Sequence, residues 1–185
     1  MTLTVITPPD ALPVPDADVK AFLRIGHDGE DDLVTELNAA ATRQVESTIG
    51  QVLVTQVLER EFKGWPAAVS GHGALLLPGP ALALLSVTIL SDSAGSEDVS
   101  GRFRLFNGRL VLRPWSIAPP VPVGGCVRIR FQAGYGAPED VPEDLALAIK
   151  LMAAEAYSSR MAGHGPGNIP RQAEEILAVH RRVRL

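Results

Sequence analysis

At 185 residues, with 46% hydrophobic and 21% charged side chains, the chain is long and apolar enough to bury a core, which excludes wholesale disorder. A formal net charge of −4 argues against a dedicated nucleic-acid binder, whose affinity would come from a strongly basic surface. The lone Cys126 excludes an intrachain disulfide and a thiolate metal cage.

Residues 1–15 carry Pro8, Pro9, Pro13 and Pro15, which disfavour helix and predict an extended arm. The opening MTLTVITPPD has no basic region ahead of an apolar core, so no secretion signal is expected and the chain reads as cytoplasmic. Asp16 or Asp18 offers a cap for a short helix over about 17–24, with Val19, Phe22 and Leu23 on one side. Gly26-His27-Asp28-Gly29 is a turn. A long helix over 30–49 follows, with acids at its positive end and Gly50 as its stop. Leu33, Leu37, Ala40, Ala41, Val45 and Ile49 keep the helical period.

At Val52 the pattern changes to β-branched alternation, and VLVTQVLEREFK reads as a strand ending at Gly64-Trp65-Pro66. Residues 64–73 form a loop, Leu75–Leu77 a short edge strand, and LLSVTILS the next strand. A polar loop from Asp92 to Ser100 leads into RFRLFNGRLVLRP. There Asn107-Gly108 between alternating runs predicts a hairpin with a type I′ turn. Phe103, Leu105, Leu110 and Leu112 then share one face, and Arg102, Arg104, Arg109 and Arg113 the other, beside Phe106 and Val111. VRIRFQAGYG is the last strand, with Val127, Ile129 and Phe131 inward and Arg128 and Arg130 outward.

A closing helix over 142–162 begins at Pro142 with Glu143 and Asp144 in its first turn. Leu145, Ala148, Ile149, Met152 and Ala156 make one apolar stripe; Leu147, Leu151 and Ala154 make a second. A helix apolar nearly all round must be covered nearly all round, by its own sheet or by a neighbouring subunit. It is too short and too charged to span a bilayer, and the apolar run 74–90 is broken by Pro78, Gly79 and Pro80, so no membrane partner is expected. The run GHGPGNIP is a joint, and the tail from Arg171 holds four arginines against two glutamates. The fold class is therefore α+β: a helical core of two N-terminal helices and a long C-terminal one, with an antiparallel sheet inserted over about 52–136. Residues 1–163 form the main domain and 164–185 the hinge and basic tail.

The chain carries no catalytic or metal-site signature. His27, His72, His164 and His180 stand apart, without the three- or four-residue spacing of metal ligands. The acids at 28–32 lack the central glycine and twelfth-position glutamate of a calcium loop, and a helix start explains them better. The Gly-His-Gly runs at 71–73 and 163–165 are not phosphate loops, and no GxSxG occurs. No catalytic residue, metal or cofactor is assigned. Two features stand out: an arginine face of six residues if the strand with Arg128 and Arg130 lies beside the hairpin, and the basic tail. The face is either solvated and balanced by Glu59 and Glu61, or meets an acidic partner. The tail either folds back onto its own domain or docks into another protein, with Leu177 as apolar anchor beside Arg181 and Arg182.

Several segments together resemble the head-to-tail connector, or adaptor, proteins of long-tailed bacteriophages and phage-like gene transfer agents. These are DVKAFLRIGHDGEDDLVTELNAAATRQVEST with GQVLVTQ, LPGPALALLSVTIL, FQAGYG with VPEDLALAIKLMAAEAYSSR, and EEILAVHRRVRL. Their order and spacing from about Asp16 to Leu185 carry the resemblance. Gly79, where the family has a bulky or charged residue, and His180, where it has an aromatic, depart from it.

The resemblance implies a non-enzymatic structural protein: a homo-oligomeric ring, commonly twelvefold, between the portal and a tail-side stopper or terminator protein. DNA would pass its channel without tight binding. Such a protein is assembled in the bacterial cytoplasm and ends in the particle at the head–tail joint. Under this reading the portal-docking tail comprises Ile169, Arg171, Ile176, Leu177, Arg181, Arg182, Arg184 and Leu185. The subunit interface comprises Leu147, Ile149, Leu151, Met152, Tyr157 and Arg160. The sheet face toward a partner comprises Arg102, Arg104, Arg109, Arg113, Arg128 and Arg130. The rivals are a small enzyme with a scattered site and a DNA-binding regulator using the N-terminal helix pair. For the regulator, acids stand at the helix end that would enter the major groove.

Overall fold

A computed structural model of the chain describes residues 2–71, 73–91, 95–162 and 169–181. In chain order the elements are β1 (Thr2–Thr7), α1 (Asp16–Leu23), α2 (Asp31–Ile49), β2 (Gln56–Phe62), α3 (Ala67–Ser70), β3 (Ala74–Leu76) and β4 (Ala81–Ser91). Then follow β5 (Gly95–Asp98), β6 (Phe103–Phe106), β7 (Arg109–Leu112), β8 (Cys126–Ala133), α4 (Glu143–Ala162) and α5 (Arg171–His180). The fold is α+β. The chain divides into two compact units: a sheet unit of Met1–Pro9 and Thr55–Gly134, and a helical unit of Asp10–Val54 and Tyr135–Leu185.

In the helical unit, α2 keeps the expected period. Val34, Ala41, Val45 and Ile49 are buried, while Ala40 is exposed. Gly50 ends the helix in the left-handed region at φ +68°, where glycine has no Cβ to clash, and its N–H donates to Glu46 O at 2.9 Å. Helix α1 departs from expectation at its start. Pro15 is the capping residue, and Asp16 makes no cap. Its carboxylate instead accepts from Asn38 Nδ2 and Thr35 Oγ1, each at 2.7 Å, tying α1 to α2. Val19 is buried as expected, but Phe22 is 42% exposed. Helix α4 starts at Glu143, with Pro142 O accepting from Ala146 N–H at 3.1 Å. Leu145, Ala148, Ile149 and Met152 join α2's apolar face, Val14 and Leu53 in one core.

Glu46 lies partly buried in this unit and accepts from Leu53 N–H at 2.8 Å. Burial pushes its carboxyl above the ordinary glutamate value, a rise that the Leu53 bond only partly offsets. The folded state thus binds this proton more tightly than the unfolded chain does. Stability from this group is full below the unfolded pKa of about 4.3 and is lost as pH rises through the raised folded value. Glu46→Gln keeps an acceptor for Leu53. It should raise the urea midpoint at pH 7 and leave it nearly unchanged at pH 3.

The sheet unit holds two antiparallel sheets, one of five strands in the order β1-β2-β8-β4-β5 and one of three in the order β3-β7-β6. The arm that prolines keep out of helix becomes β1 and pairs with β2 through Thr2↔Glu61 to Thr7↔Val57. Part of the expected polar loop is β5, paired with β4. Strand β8 lies central, and its alternation is as read: Val127, Ile129 and Phe131 are buried. The hairpin forms on Asn107 (φ +48°) and Gly108 (φ +69°), the doubly positive pattern of a type I′ turn. Its register, Phe103↔Leu112 and Leu105↔Leu110, puts the apolar side chains on one face. Trp65 stacks on Phe103 with ring centroids 5.0 Å apart.

Candidate interaction surfaces

The subunit contact read from the sequence depends on which α4 side chains remain available outside their own unit. Ile149 is fully buried and Met152 is 4% exposed, both within the helical core, so the structure takes these two out of any contact between copies. The reason is geometric: the helical period puts them in line with Leu145 and Ala148, and all four lie in the core shared with α2 and α5. Leu147 and Leu151, on the second stripe, stay half-buried, Leu151 packed against the helical core. Tyr157 and Arg160 have partners in their own chain. The Tyr157 hydroxyl donates to Glu30 Oε2 at 2.8 Å, and Arg160 Nη2 lies 3.3 Å from Glu30 Oε1. Glu30 thereby holds the phenol above its ordinary pKa. Glu30 was legible only as a helix-start acid, because its partners stand 127 and 130 residues away.

Two more acids of the 28–32 run, Asp28 and Asp31, have a similar explanation. Lys20 Nζ lies 2.9 Å from Asp28 Oδ1 and 2.6 Å from Asp31 Oδ1, clasping α1 to the start of α2. Among the described residues no group of three or more His, Cys, Asp or Glu side chains could hold a metal ion. No helix among them is long and apolar enough to cross a membrane.

The tail folds back over its described length. Helix α5 buries Ala173 and Leu177, and half-buries Ile176, against the helical core, with Ile169 half-buried just before it. Leu177 is therefore a core residue and not a free apolar anchor. The end of α5 is fastened twice: Gln51 Nε2 donates to His180 O at 2.7 Å, and His180 Nε2 lies 2.6 Å from Asp144 Oδ2. That hydrogen bond from His180 holds the Asp144 carboxyl below its ordinary range. Arg171 is exposed and pairs with Glu175 one turn on, at 3.1 Å, while Arg181 is exposed after the helix. The expected joint at 163–168, and Arg182, Arg184 and Leu185 of the docking tail, lie outside the described residues.

The six arginines do not form one face. Arg128 and Arg130 stand on β8, between β2 and β4, and the hairpin belongs to the other sheet. Register puts Glu61 opposite Arg128 and Glu59 opposite Arg130. Arg130 Nε lies 2.5 Å from Glu59 Oε2, and Arg128 Nη2 lies 3.5 Å from Glu61 Oε2. Arg128 Nε sits 3.0 Å from Glu59 Oε1 without hydrogen-bond alignment. A hydrogen bond from Cys126, with Arg128 nearby, holds Glu61 below its ordinary range. On this sheet the balanced reading holds, because like alternation on adjacent strands sets opposite charges directly across from one another.

The hairpin arginines are different. Register puts Arg104 with Val111 and Arg109 with Phe106 on one face. The Arg104 guanidinium lies 5.4 Å from the Phe106 ring centroid, and Phe106 is 55% exposed. Arg102 Nη1 donates to Ile117 O at 3.3 Å and Arg113 Nε to Phe103 O at 3.0 Å. None of these four forms an ion pair with a described carboxylate. Two apolar projections on β4 escaped the sequence reading. Its register shifts between Ala81 and Ala83 and between Leu84 and Ser86, which leaves Leu82 and Leu85 unpaired and each 50% exposed.

No family model and no curated protein matches the sequence. Solved structures do share the fold over the full length. A chain in the virion of a native gene transfer agent (GTA) particle superposes with a TM-score of 0.84 at 24% identity. A chain in the neck of an empty GTA particle, computed with C6 symmetry, gives 0.83 at 26% identity. One in the neck of a native GTA particle, computed with C12 symmetry, gives 0.75 at 26%. Each comparison covers 100% of this chain and 97% of the other. These likenesses agree with the resemblance of the sequence to head-to-tail connector proteins.

Proposed function

We propose that this chain is a structural, non-catalytic neck protein, a head–tail connector of a gene transfer agent or tailed phage. The observation that carries the reading is the full-length likeness to chains of GTA necks at 26% identity. Copies form a ring, twelve in number by analogy with the neck computed with C12 symmetry, between the portal and a tail-side protein. A ring needs heterologous contacts, one face of each subunit meeting a different face of the next. Leu147 and Leu151 on α4, half-buried in the single chain, are the side chains assigned to that contact. Arg181, with Arg182, Arg184 and Leu185, is assigned to the portal. The net charge of −4 suits a conduit, because every phosphate neutralised adds affinity that would slow passing DNA.

Negative-stain microscopy of particles from cells lacking this gene tests the reading. DNA-filled heads with separate tails are expected. Normally tailed particles would return the chain to the enzyme or regulator readings.

A further inference from the structure

The two tryptophans of the sheet unit are treated in opposite ways. Trp65 stacks on Phe103, and its indole N–H donates to Pro119 O at 2.6 Å. Trp115 is 104% exposed and stands in the left-handed region at φ +64°. Ser116 N–H donates to Arg113 O at 3.1 Å, closing a turn with Pro114 second and Trp115 third. A positive φ at the third position is the type II pattern, which favours glycine, and a side chain there costs about 1–2 kcal/mol. The largest apolar side chain type is thus held in strained backbone and in water, and nothing in the described chain compensates either cost. Such strain persists where its surroundings enforce it, and it concentrates at functional positions.

The surroundings here are rigid. Pro114, Pro119, Pro120 and Pro122 restrict the segment, and Arg102, Trp65 and the Gly125 N–H to Pro122 O bond fasten it at three points. Ile117 beside the turn is 67% exposed. Arg113 opens the turn, Arg102 reaches Ile117, and Arg104 and Arg109 continue the same hairpin face without described carboxylate partners. A preorganised aromatic anchor among arginines without described carboxylate partners is the composition of a protein-binding hot spot.

We propose that the turn at Trp115 docks the sheet unit onto its tail-side protein, the indole entering an apolar pocket whose rim carries carboxylates that meet the hairpin arginines. The identity of that partner rests on the connector reading. A protein is favoured over single-stranded nucleic acid because the anchor lies among Ile117 and prolines, in a chain of net negative charge.

Trp115→Gly removes the indole and relaxes the turn, so the folded chain is expected to keep or raise its urea midpoint. Cells lacking the gene are supplied with wild-type chain, Trp115→Gly, or Trp115→Phe, and particles are counted by microscopy and probed for the protein on heads. At least a tenfold drop in tailed particles with Trp115→Gly, with the variant still present on DNA-filled heads and partial rescue by Trp115→Phe, is expected. Full tailing with Trp115→Gly, in a background where deletion abolishes tails, overturns the proposal and leaves the connector reading intact. Loss of Trp115→Gly from the heads also overturns it, as does saturable quenching of Trp115 fluorescence by a single-stranded oligonucleotide. If deletion leaves tails in place, it is the connector reading that fails.

Discussion

Ile149→Glu is expected to unfold the helical unit, whereas Leu147→Glu, two residues away on the same helix, is expected to leave it folded. Ile149 is fully buried, in the core cluster that holds Leu145, Ala148 and the α2 side chains Val45 and Ile49. A carboxylate there would lose the burial of an isoleucine and be left in the core without a cation. Together these exceed about 4 kcal/mol, a large part of the 5–15 kcal/mol that holds an ordinary domain. Leu147 is half-buried and its replacement should cost within about 1 kcal/mol. Far-UV circular dichroism during urea titration separates the two. In particles, Leu147→Glu should then lower ring incorporation while the protein stays folded. Intact rings with Leu147→Glu would remove the second stripe of α4 from the contact between copies.

Leu177→Ala should release α5. Leu177 is 2% exposed against the helical core, and truncating a buried leucine costs about 2–5 kcal/mol. The contacts that remain, Gln51 with His180 O and His180 with Asp144, are polar and partly solvated, so they offset little of this. Since about 1.4 kcal/mol is tenfold in an equilibrium, amide exchange over residues 171–180 should accelerate roughly 30-fold or more, with α2 exchange nearly unchanged. Equal exchange in both proteins would mean that α5 is not docked through Leu177, and would revive the free docking arm.

These two results bear on how much of the candidate surfaces was legible beforehand. The helical period aligned Ile149 and Met152 on one apolar stripe, and both are buried, whereas Leu177, read as a free apolar anchor, lies in the core. Whether an apolar stripe meets its own chain or another is a different matter, because both cover the same atoms with the same chemistry. The period of α4 sorts Leu145 and Leu147 onto different stripes, but it does not say which stripe the rest of the chain covers. Tyr157 and Arg160 carry an intrachain partner for a related reason, since Glu30 reaches them from the far end of the sequence.

Features that depend on near neighbours follow from the residues alone. The helices α2 and α4 follow from spacing at three and four residues, and Gly50 stops α2 because a left-handed residue is least strained without a Cβ. Asn107-Gly108 imposed the hairpin turn, and a period of two then assigned every face of β6, β7 and β8. Which strands are neighbours is settled by long-range pairing in the folded chain. Strand β8 pairs with β2 and β4 instead of the hairpin, so Glu59 meets Arg130 across 71 residues of chain and the expected six-arginine face divides. Alternation fixes which side of a strand a residue takes, but not the partner it lies beside, because that choice is made by burial summed over both sheets. The same holds for the bulges at Leu82 and Leu85, set by the pairing of β4 with β8, for which the local pattern carries no signal.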